Sequence, residues 1–303
     1  MTGFAHSGWP RLLVLGAGGQ VGSELSRRAW LPALKVTSLS RAELDICDPA
    51  AVAAAFRQLR PSIVVNCAAY TAVDRAESEP QRAMAANATA PGHLAQACTE
   101  AGAALIHLST DYVFDGRSAR PYVESDAVNP INVYGRTKEA GERCVRERLE
   151  RHVILRTSWV YGAHGRNFVR TMLRLGAERK TLRIVADQHG CPTAAHDIAD
   201  AIDHVARMIL DGSAPWGTYH FCGAGATTWH DFAVEIFAQS ALHGGPQPEL
   251  HRIRTEEYPT PAQRPRNSVL DCALAKERLG LVARPWQQSL SLVLEEIFAA
   301  RSG

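Results

Sequence analysis

Leu12-Leu-Val-Leu15-Gly16-Ala-Gly-Gly19-Gln20-Val21-Gly22 carries an apolar run straight into a glycine-rich turn. Four consecutive apolar residues read as a strand buried on both faces, and residues 20–30 read as the helix that follows. Glycines at such a junction allow a tight turn and let the backbone approach a pyrophosphate. They also leave the free N–H groups of a helix start facing the anion. Glycine-rich turns also end strands for structural reasons alone. The context here is that of a dinucleotide cradle running from Gly16 to Gly22, with a strand before it and a helix after it.

The same alternation continues outward. Val36–Leu39, Ile63–Asn66, Leu105–Leu108 and Val153–Arg156 read as further strands, separated by helical stretches at about 20–30, 49–60, 79–102 and 134–149. Continuous apolar strands alternating with helices predict an α/β fold, a doubly wound parallel (Rossmann) sheet with ligands at the carboxyl ends of its strands. Pro32 is expected to end the first helix, and Asp48-Pro49 to cap and start the second. Ile198, Ile202, Val205 and Ile209 mark one face of a helix at 196–212. A strand at Gly217–Cys222, a helix from about Thr228 and a loop at His243–Pro248 follow.

Bulk composition excludes several classes. Lys+Arg and Asp+Glu number 33 and 31, a net charge of +2, which supports neither a nucleic-acid nor a membrane-surface partner. Seven cysteines without a CxxC pair read as reduced thiols of a cytoplasmic protein, and no HExxH helix points to zinc. The first dozen residues lack the pattern of a signal peptide, and no apolar run reaches the roughly 18 residues of a membrane span.

After the second strand, an acidic residue would favour NAD and a basic one would accommodate the 2′-phosphate of NADP. Ser40-Arg41 stands there, with Asp45 only later, so Arg41 tilts the reading toward NADPH while NADH stays open. Tyr134 and Lys138 lie four residues apart, on one face of a helix, where an ammonium is expected to lower the phenol pKa toward the operating range. Tyr-x-x-x-Lys is common by chance and gains meaning from a third group. Thr110, at the end of the strand Leu105–Leu108, supplies a hydroxyl able to hold a carbonyl oxygen beside the phenol.

The glycine turn, the Ser/Thr and Tyr134-x-x-x-Lys138 together resemble the extended short-chain dehydrogenase/reductase family. Five further blocks narrow the resemblance to its dTDP-4-dehydrorhamnose reductase branch. They are Asn66-Cys-Ala-Ala-Tyr-Thr71-Ala-Val-Asp74, Ser109-Thr-Asp-Tyr-Val-Phe114, Arg156-Thr-Ser-Trp-Val-Tyr161, Asp187-Gln-x-Gly-x-Pro-Thr193 and Arg264-Pro-x-Asn-Ser268. The resemblance implies reduction of the C4 ketone of dTDP-4-dehydro-β-L-rhamnose by NADPH or NADH, the last step of dTDP-L-rhamnose synthesis. Tyr134 would be the proton donor, Lys138 would tune it and hold the nicotinamide ribose, and Thr110 would position the ketone. Gly16, Gly19, Gln20, Val21 and Gly22 would line the pyrophosphate. Arg41, Asp45 and Ile46 would lie at the adenosine end, and Ala68, Ala69, Tyr70 and Thr71 along the inner side of the cofactor. Asp111, Trp159, Asn167 and Arg264 match substrate-contacting positions, the arginine suiting a diphosphate because it can bond two oxygens at once.

Some bacterial members of the family are dimers bridged by Mg²⁺ on glutamates. Glu24 and Glu296 match two of those positions and His196 the third, and a histidine is a poor ligand for this hard cation. No obligatory Mg²⁺ is expected, and the assembly is a monomer or a homodimer. The competing readings are an epimerase or dehydratase acting on a nucleotide sugar, and a non-catalytic NADP-binding subunit like that of methionine adenosyltransferase. Thr110-Asp111-Tyr112 lacks the glutamate that dehydratases carry after the aspartate. The resemblance also implies a cofactor domain of residues 1–156 plus about 193–216, and a substrate domain of 157–192 and 217–303.

Overall fold

A computed structural model describes residues 9–302. Residues 1–8, on which the signal-peptide reading partly rests, lie outside the described residues. The first half runs β1 (Arg11–Leu15), α1 (Gln20–Arg27), β2 (Lys35–Leu39), α2 (Pro49–Leu59), β3 (Ile63–Asn66), α3 (Val73–Ala76), α4 (Pro80–Met84), α5 (Ala90–Ala101), β4 (Ala104–Thr110), α6 (Val133–Arg148) and β5 (His152–Thr157). The second half runs β6 (Val160–Tyr161), α7 (Phe168–Glu178), β7 (Thr181–Val185), β8 (His189–Gly190), β9 (Thr193–Ala194), α8 (Ala195–Asp211), β10 (Gly217–His220), β11 (Thr227–Thr228), α9 (Trp229–Ala241), β12 (Glu249–Ile253), α10 (Ala273–Leu279) and α11 (Trp286–Ser302).

Six strands form one parallel sheet in the order β2-β1-β3-β4-β5-β10. Alternation within each strand builds a core on both faces. Leu12, Val14, Ile63, Val65, Ile106 and Val153 pack with α1 and α8 on one side. Leu13, Leu15, Val64, Leu105 and Ile154 pack with residues of α2, α5 and α6 on the other. Burial on both faces is why these strands read as unbroken apolar runs. β2 lies on one side of β1 and β3 on the other, so the winding reverses at β1/β3, the crevice where such sheets bind ligands.

The expected elements form, with local differences. Asp48 caps α2 by accepting from the N–H groups of Ala50 and Ala51 at 2.9 and 3.1 Å. α1 ends at Arg27, earlier than Pro32 requires. The helix expected over 79–102 is interrupted by a π-helical turn at Ala85–Thr89, just ahead of Pro91. Pro91 has no N–H to offer the carbonyl of Asn87, and that carbonyl abuts Gly141 of α6, where a Cβ would sit only 2.0 Å away.

Residues 217–220, assigned above to the substrate portion, are the edge strand of the central sheet, with Gly217–His220 paired to Val153–Arg156. Ala275, Leu279 and Leu281 likewise pack in the core on the α8 side of that sheet. A four-residue strand with a glycine and a histidine has no distinctive apolar pattern, so its sheet is decided by pairing to β5. A separate core forms around Tyr161, Val169, Phe232, Trp286 and Leu290, joining α7, α9 and α11. Among the described residues no helix is long and apolar enough to cross a membrane.

Candidate active site

The glycine turn follows β1 at the carboxyl edge of the sheet. Gly16 has φ of 82°, and a Cβ there would lie 2.6 Å from the backbone nitrogen of Ala68. A Cβ on Gly22 would lie 2.1 Å from the Gly16 carbonyl oxygen, whereas Gly18 faces open space. α1 starts at Gly19 with no side-chain cap and no acidic residue in its first turn, leaving N–H groups at Gln20, Val21 and Gly22 without a helix partner. An uncapped helix start behind an open glycine fits a dinucleotide pyrophosphate. At the end of β2, the exposed Arg41 reaches Asp45 Oδ2 through Nη2 at 3.2 Å, while the Cys47 N–H donates to Asp45 Oδ1 at 3.0 Å. That N–H, with Arg41 assisting against burial, holds the Asp45 carboxyl below its ordinary range. Ile46 is buried beside it.

The segment after β3 is held from below. Asn66 accepts from the Ala68 N–H at 3.1 Å, and the fully buried Asn87 clamps both polar backbone groups of Tyr70, at 2.8 and 3.0 Å. Asn87 also donates to Thr137 of α6 at 3.0 Å, tying this segment to the helix that carries Tyr134 and Lys138. Ala69 is half-buried and Thr71 exposed along the same edge.

Thr110 ends β4 and donates through Oγ1 to Asp111 Oδ1 at 3.0 Å, while accepting from the Tyr112 N–H at 3.2 Å. α6 begins at the Asn132 cap, which accepts from the Gly135 N–H at 2.7 Å. Gly135 is what lets the helix close on this turn, since a Cβ would lie 2.1 Å from the Tyr112 carbonyl oxygen. Tyr134 thereby reaches hydrogen-bonding range of Thr110 and meets the Tyr112 ring edge-on at 6.0 Å.

The Lys138 ammonium donates to the Leu108 carbonyl at 2.6 Å. Burial lowers Lys138 to about 8, with the charge of Glu142 pulling the other way. Burial likewise pushes Tyr134 up to about 12, partly offset by its bond with Thr110. This differs from the expected lowering of the phenol pKa, because Lys138 is turned to a backbone carbonyl and desolvation of the phenolate dominates. Asp111 is buried and raised to about 7, a burial effect only partly offset by hydrogen bonds from Ser268 and Thr110.

One helical turn beyond Lys138, Glu142 is completely buried. It accepts from Ser109 Oγ at 2.5 Å, from Arg156 Nε and Nη2 at 2.9 and 2.7 Å, and from Arg146 at 2.9 Å.

Across the cleft, Trp159 follows β5 with φ of 46°, a strained conformation for a bulky residue. Its indole stacks on Trp229 with centroids 3.5 Å apart and planes within 4°, and Phe168 flanks Trp229 at 4.7 Å. Gly190 makes room for it, since a Cβ there would lie 2.4 Å from the indole. Asn167 caps α7 through Oδ1 and donates through Nδ2 to Gln20 Oε1 at 2.9 Å, which joins it to the glycine turn. Arg264 forks onto both oxygens of Asp74 at 3.0 and 2.8 Å, near Tyr112.

The structure therefore brings Thr110, Asp111, Tyr134 and Lys138 together, with the cradle and the 68–71 segment on the same edge. Arg41 and Asp45 are joined to each other at its adenosine end. Sequence reasoning missed Asn87, Glu142, Gly190 and Trp229. A glutamate one turn after Lys138 was a legible signal for Glu142, whereas the partners of the other three are distant in sequence.

Glu24 pairs with Arg27 at 2.8 Å, and Glu296 with His164 at 2.9 Å and Arg27 at 3.8 Å. His196 stands beside Asp197 at 3.4 Å. Arg27 thus pairs with both glutamates. Among the described residues no cluster of three or more His, Cys, Asp or Glu could hold a metal.

A doubly wound sheet with a glycine cradle at its switch point and a Thr–Tyr–Lys group beside it defines a short-chain dehydrogenase/reductase. Residues 10–298 match the family model described as RmlD substrate binding domain. The chain is 43% identical to dTDP-4-dehydrorhamnose reductase of Escherichia coli K12 over 293 residues, covering 95% of this chain and 98% of that one. It is 47% identical over 283 residues to the enzyme of that name from Streptomyces griseus, covering 93% and 92%. Its fold is similar to the crystal structure of dTDP-4-dehydrorhamnose reductase from Bacillus anthracis in complex with NADP, with a TM-score of 0.88 and 35% identity over 95% of this chain and 99% of that one. The chain belongs to the dTDP-4-dehydrorhamnose reductase family, and it is an NAD(P)H-dependent oxidoreductase.

Proposed function

We propose that the protein reduces the C4 ketone of dTDP-4-dehydro-β-L-rhamnose to dTDP-β-L-rhamnose, with Tyr134 as the proton donor. The observation that carries this reading is the meeting of Thr110, Tyr134 and Lys138 at the carboxyl end of β4, on the edge that holds the glycine cradle. When bound, a reduced nicotinamide dinucleotide supplies the hydride. Gly16, Gly19, Gln20, Val21 and Gly22 would hold its pyrophosphate, Arg41, Asp45 and Ile46 its adenosine end, and Ala68 to Thr71 its inner side. The basic Arg41 favours NADPH over NADH.

Burial keeps the Tyr134 phenol protonated at neutral pH, the form a proton donor requires. Thr110 can turn its one hydroxyl proton from Asp111 to the ketone oxygen when the substrate binds, and so orients that oxygen toward the phenol. Lys138 carries its positive charge below about pH 8 and would hold the nicotinamide ribose. Trp159 supplies an aromatic wall for the sugar, Asp111 a polar contact, and Arg264 and Asn167 polar contacts toward the diphosphate. Residues up to about 156 with α8 and β10 form the cofactor unit in this reading, and the core around Phe232 belongs to the substrate unit.

The test is NADPH oxidation on adding the dTDP keto sugar. Turnover that needs added NADPH supports a reductase; an epimerase would work without it, and tight NADPH binding with no turnover would point to a regulatory subunit. Tyr134→Phe should cut turnover by roughly 10²-fold or more while leaving NADPH affinity nearly unchanged. Intact turnover in that variant would remove Tyr134 from the role.

A further inference from the structure

Away from the cleft, three of the seven cysteines meet. Cys191 lies between β8 and β9, Cys222 two residues beyond β10, and Cys272 immediately before α10. Cys222 Sγ is 3.5 Å from Cys272 Sγ, and Cys191 also hydrogen-bonds the Cys222 thiol. All three are free thiols in this structure. They line one cavity of about 370 Å³ with Leu270 and Lys276, so a small solute can reach them. Cys191 and Cys222 are buried, and Cys272 is the partly exposed member. Cys98, by contrast, is sealed in the core.

We propose that Cys222 and Cys272 form a peroxide-sensitive dithiol, a modification site separate from the reaction centre that closes to a reversible disulfide. Cys272 is the attacking group. Its thiol is lowered chiefly by accepting a hydrogen bond from Cys222, against burial, whereas its bonds with Cys191 and Cys272 and burial push the Cys222 thiol up. The Cys272 thiolate attacks one oxygen of hydrogen peroxide, the O–O bond breaks, and hydroxide leaves, giving a sulfenic acid. The Cys222 sulfur then attacks the Cys272 sulfur, the S–O bond breaks and hydroxide leaves. The Cys222 proton and the proton first lost from Cys272 convert both hydroxides to water. Two thiols and one peroxide thus give one disulfide and two waters, the thiols being oxidised by two electrons and the peroxide reduced by two.

The sulfurs must close by about 1.5 Å to bond, within reach of side-chain torsion at the partly exposed Cys272. A cytosolic disulfide of this kind is transient and redox-sensing rather than structural. The pair also backs onto the reaction centre. Cys191 and Cys222 pack with Val113 and Phe114, which directly follow Asp111-Tyr112, and the Cys191 carbonyl accepts from Ser158 Oγ at 2.6 Å, next to Trp159.

The test is a peptide map. Full-length reduced protein is treated with stoichiometric hydrogen peroxide, alkylated without reduction, digested and analysed by mass spectrometry. A linked peptide pair carrying Cys222 and Cys272, short of two hydrogens and released by dithiothreitol, is expected. Cys222→Ser should instead leave Cys272 as a sulfenic acid captured by a dimedone probe, and Cys191→Ser should still form the link. If Cys222 and Cys272 both stay alkylatable after peroxide, or the main link runs through Cys191, the proposal is wrong. Should the serine variants fail to fold, the map of the unsubstituted protein decides between these outcomes by itself.

Discussion

Replacing Glu142 with glutamine perturbs the reaction helix without changing its shape. Glu142 is fully buried, and the Arg156 side chain that forks onto it is only 4% exposed. Glutamine keeps one carbonyl acceptor but turns an NH₂ donor toward a guanidinium that has only donors. Arg156 is then a buried charge with its counter-charge gone. Removing one partner of such a pair costs about 3–5 kcal/mol, a large part of the roughly 5–15 kcal/mol that holds a typical protein folded. At about 2 °C per kcal/mol for a chain of this size, the melting temperature should fall by roughly 6–10 °C.

The effect depends on charge, so it depends on pH. Burial pushes the Glu142 carboxyl up, but Arg156, Ser109 and Arg146 outweigh it and hold the group below its ordinary range. A depressed folded pKa gives stability that is present above the unfolded value and lost as pH falls through the folded one. The deficit of Glu142→Gln should therefore be full at pH 7 and shrink in acid. Glu142 also raises Lys138, so its loss should move the alkaline limb of turnover to lower pH.

Urea unfolding followed by circular dichroism, at pH 7 and pH 4, measures the first effect, and a pH–rate profile the second. Glu142→Leu with Arg156→Met should recover much of the loss, since an apolar pair replaces a buried ion pair at little net cost. A single-variant cost under about 1 kcal/mol at pH 7, or a double variant no better than the single, would refute the reasoning.

Three further outcomes follow from the site. Gly18→Ala should leave the melting temperature almost unchanged, because a Cβ meets nothing within 4 Å, yet weaken NADPH binding in a fluorescence titration if the open space is the cradle. Asp111→Asn should stabilise the protein above pH 7 by at most about 4 kcal/mol, the equivalent of raising a carboxyl from 3.8 to about 7. The gain should fade between pH 7 and pH 4, where the native state already takes up the proton; a gain that is the same at pH 4 and pH 8 would exclude this origin. Trp229→Ala should raise KM for the keto sugar more than it lowers kcat, by releasing the stacked Trp159, and Trp229→Phe should restore most of the affinity in the same kinetic assay.

The amino-acid sequence by itself determined the alternation of strands and helices, the parallel class of sheet, the glycine turn and the identities of Thr110, Tyr134 and Lys138. These are local or periodic signals, because a strand covered on both faces must be apolar throughout and a helix start that receives an anion needs glycine at close spacing. The five blocks from Asn66 to Ser268 carried the family with equal clarity. Only the tertiary structure decided that Gly217–His220 completes the central sheet, since its assignment rests on bonds to β5 rather than on its own composition. Only packing decided that Lys138 turns to the Leu108 carbonyl and that burial drives Tyr134 up. The supports contributed by Asn87 and Trp229, and the meeting of Cys191, Cys222 and Cys272, were equally out of reach. Hydrogen-bond direction, desolvation and stacking belong to neighbours brought together across tens of residues, and no spacing along the chain encodes them.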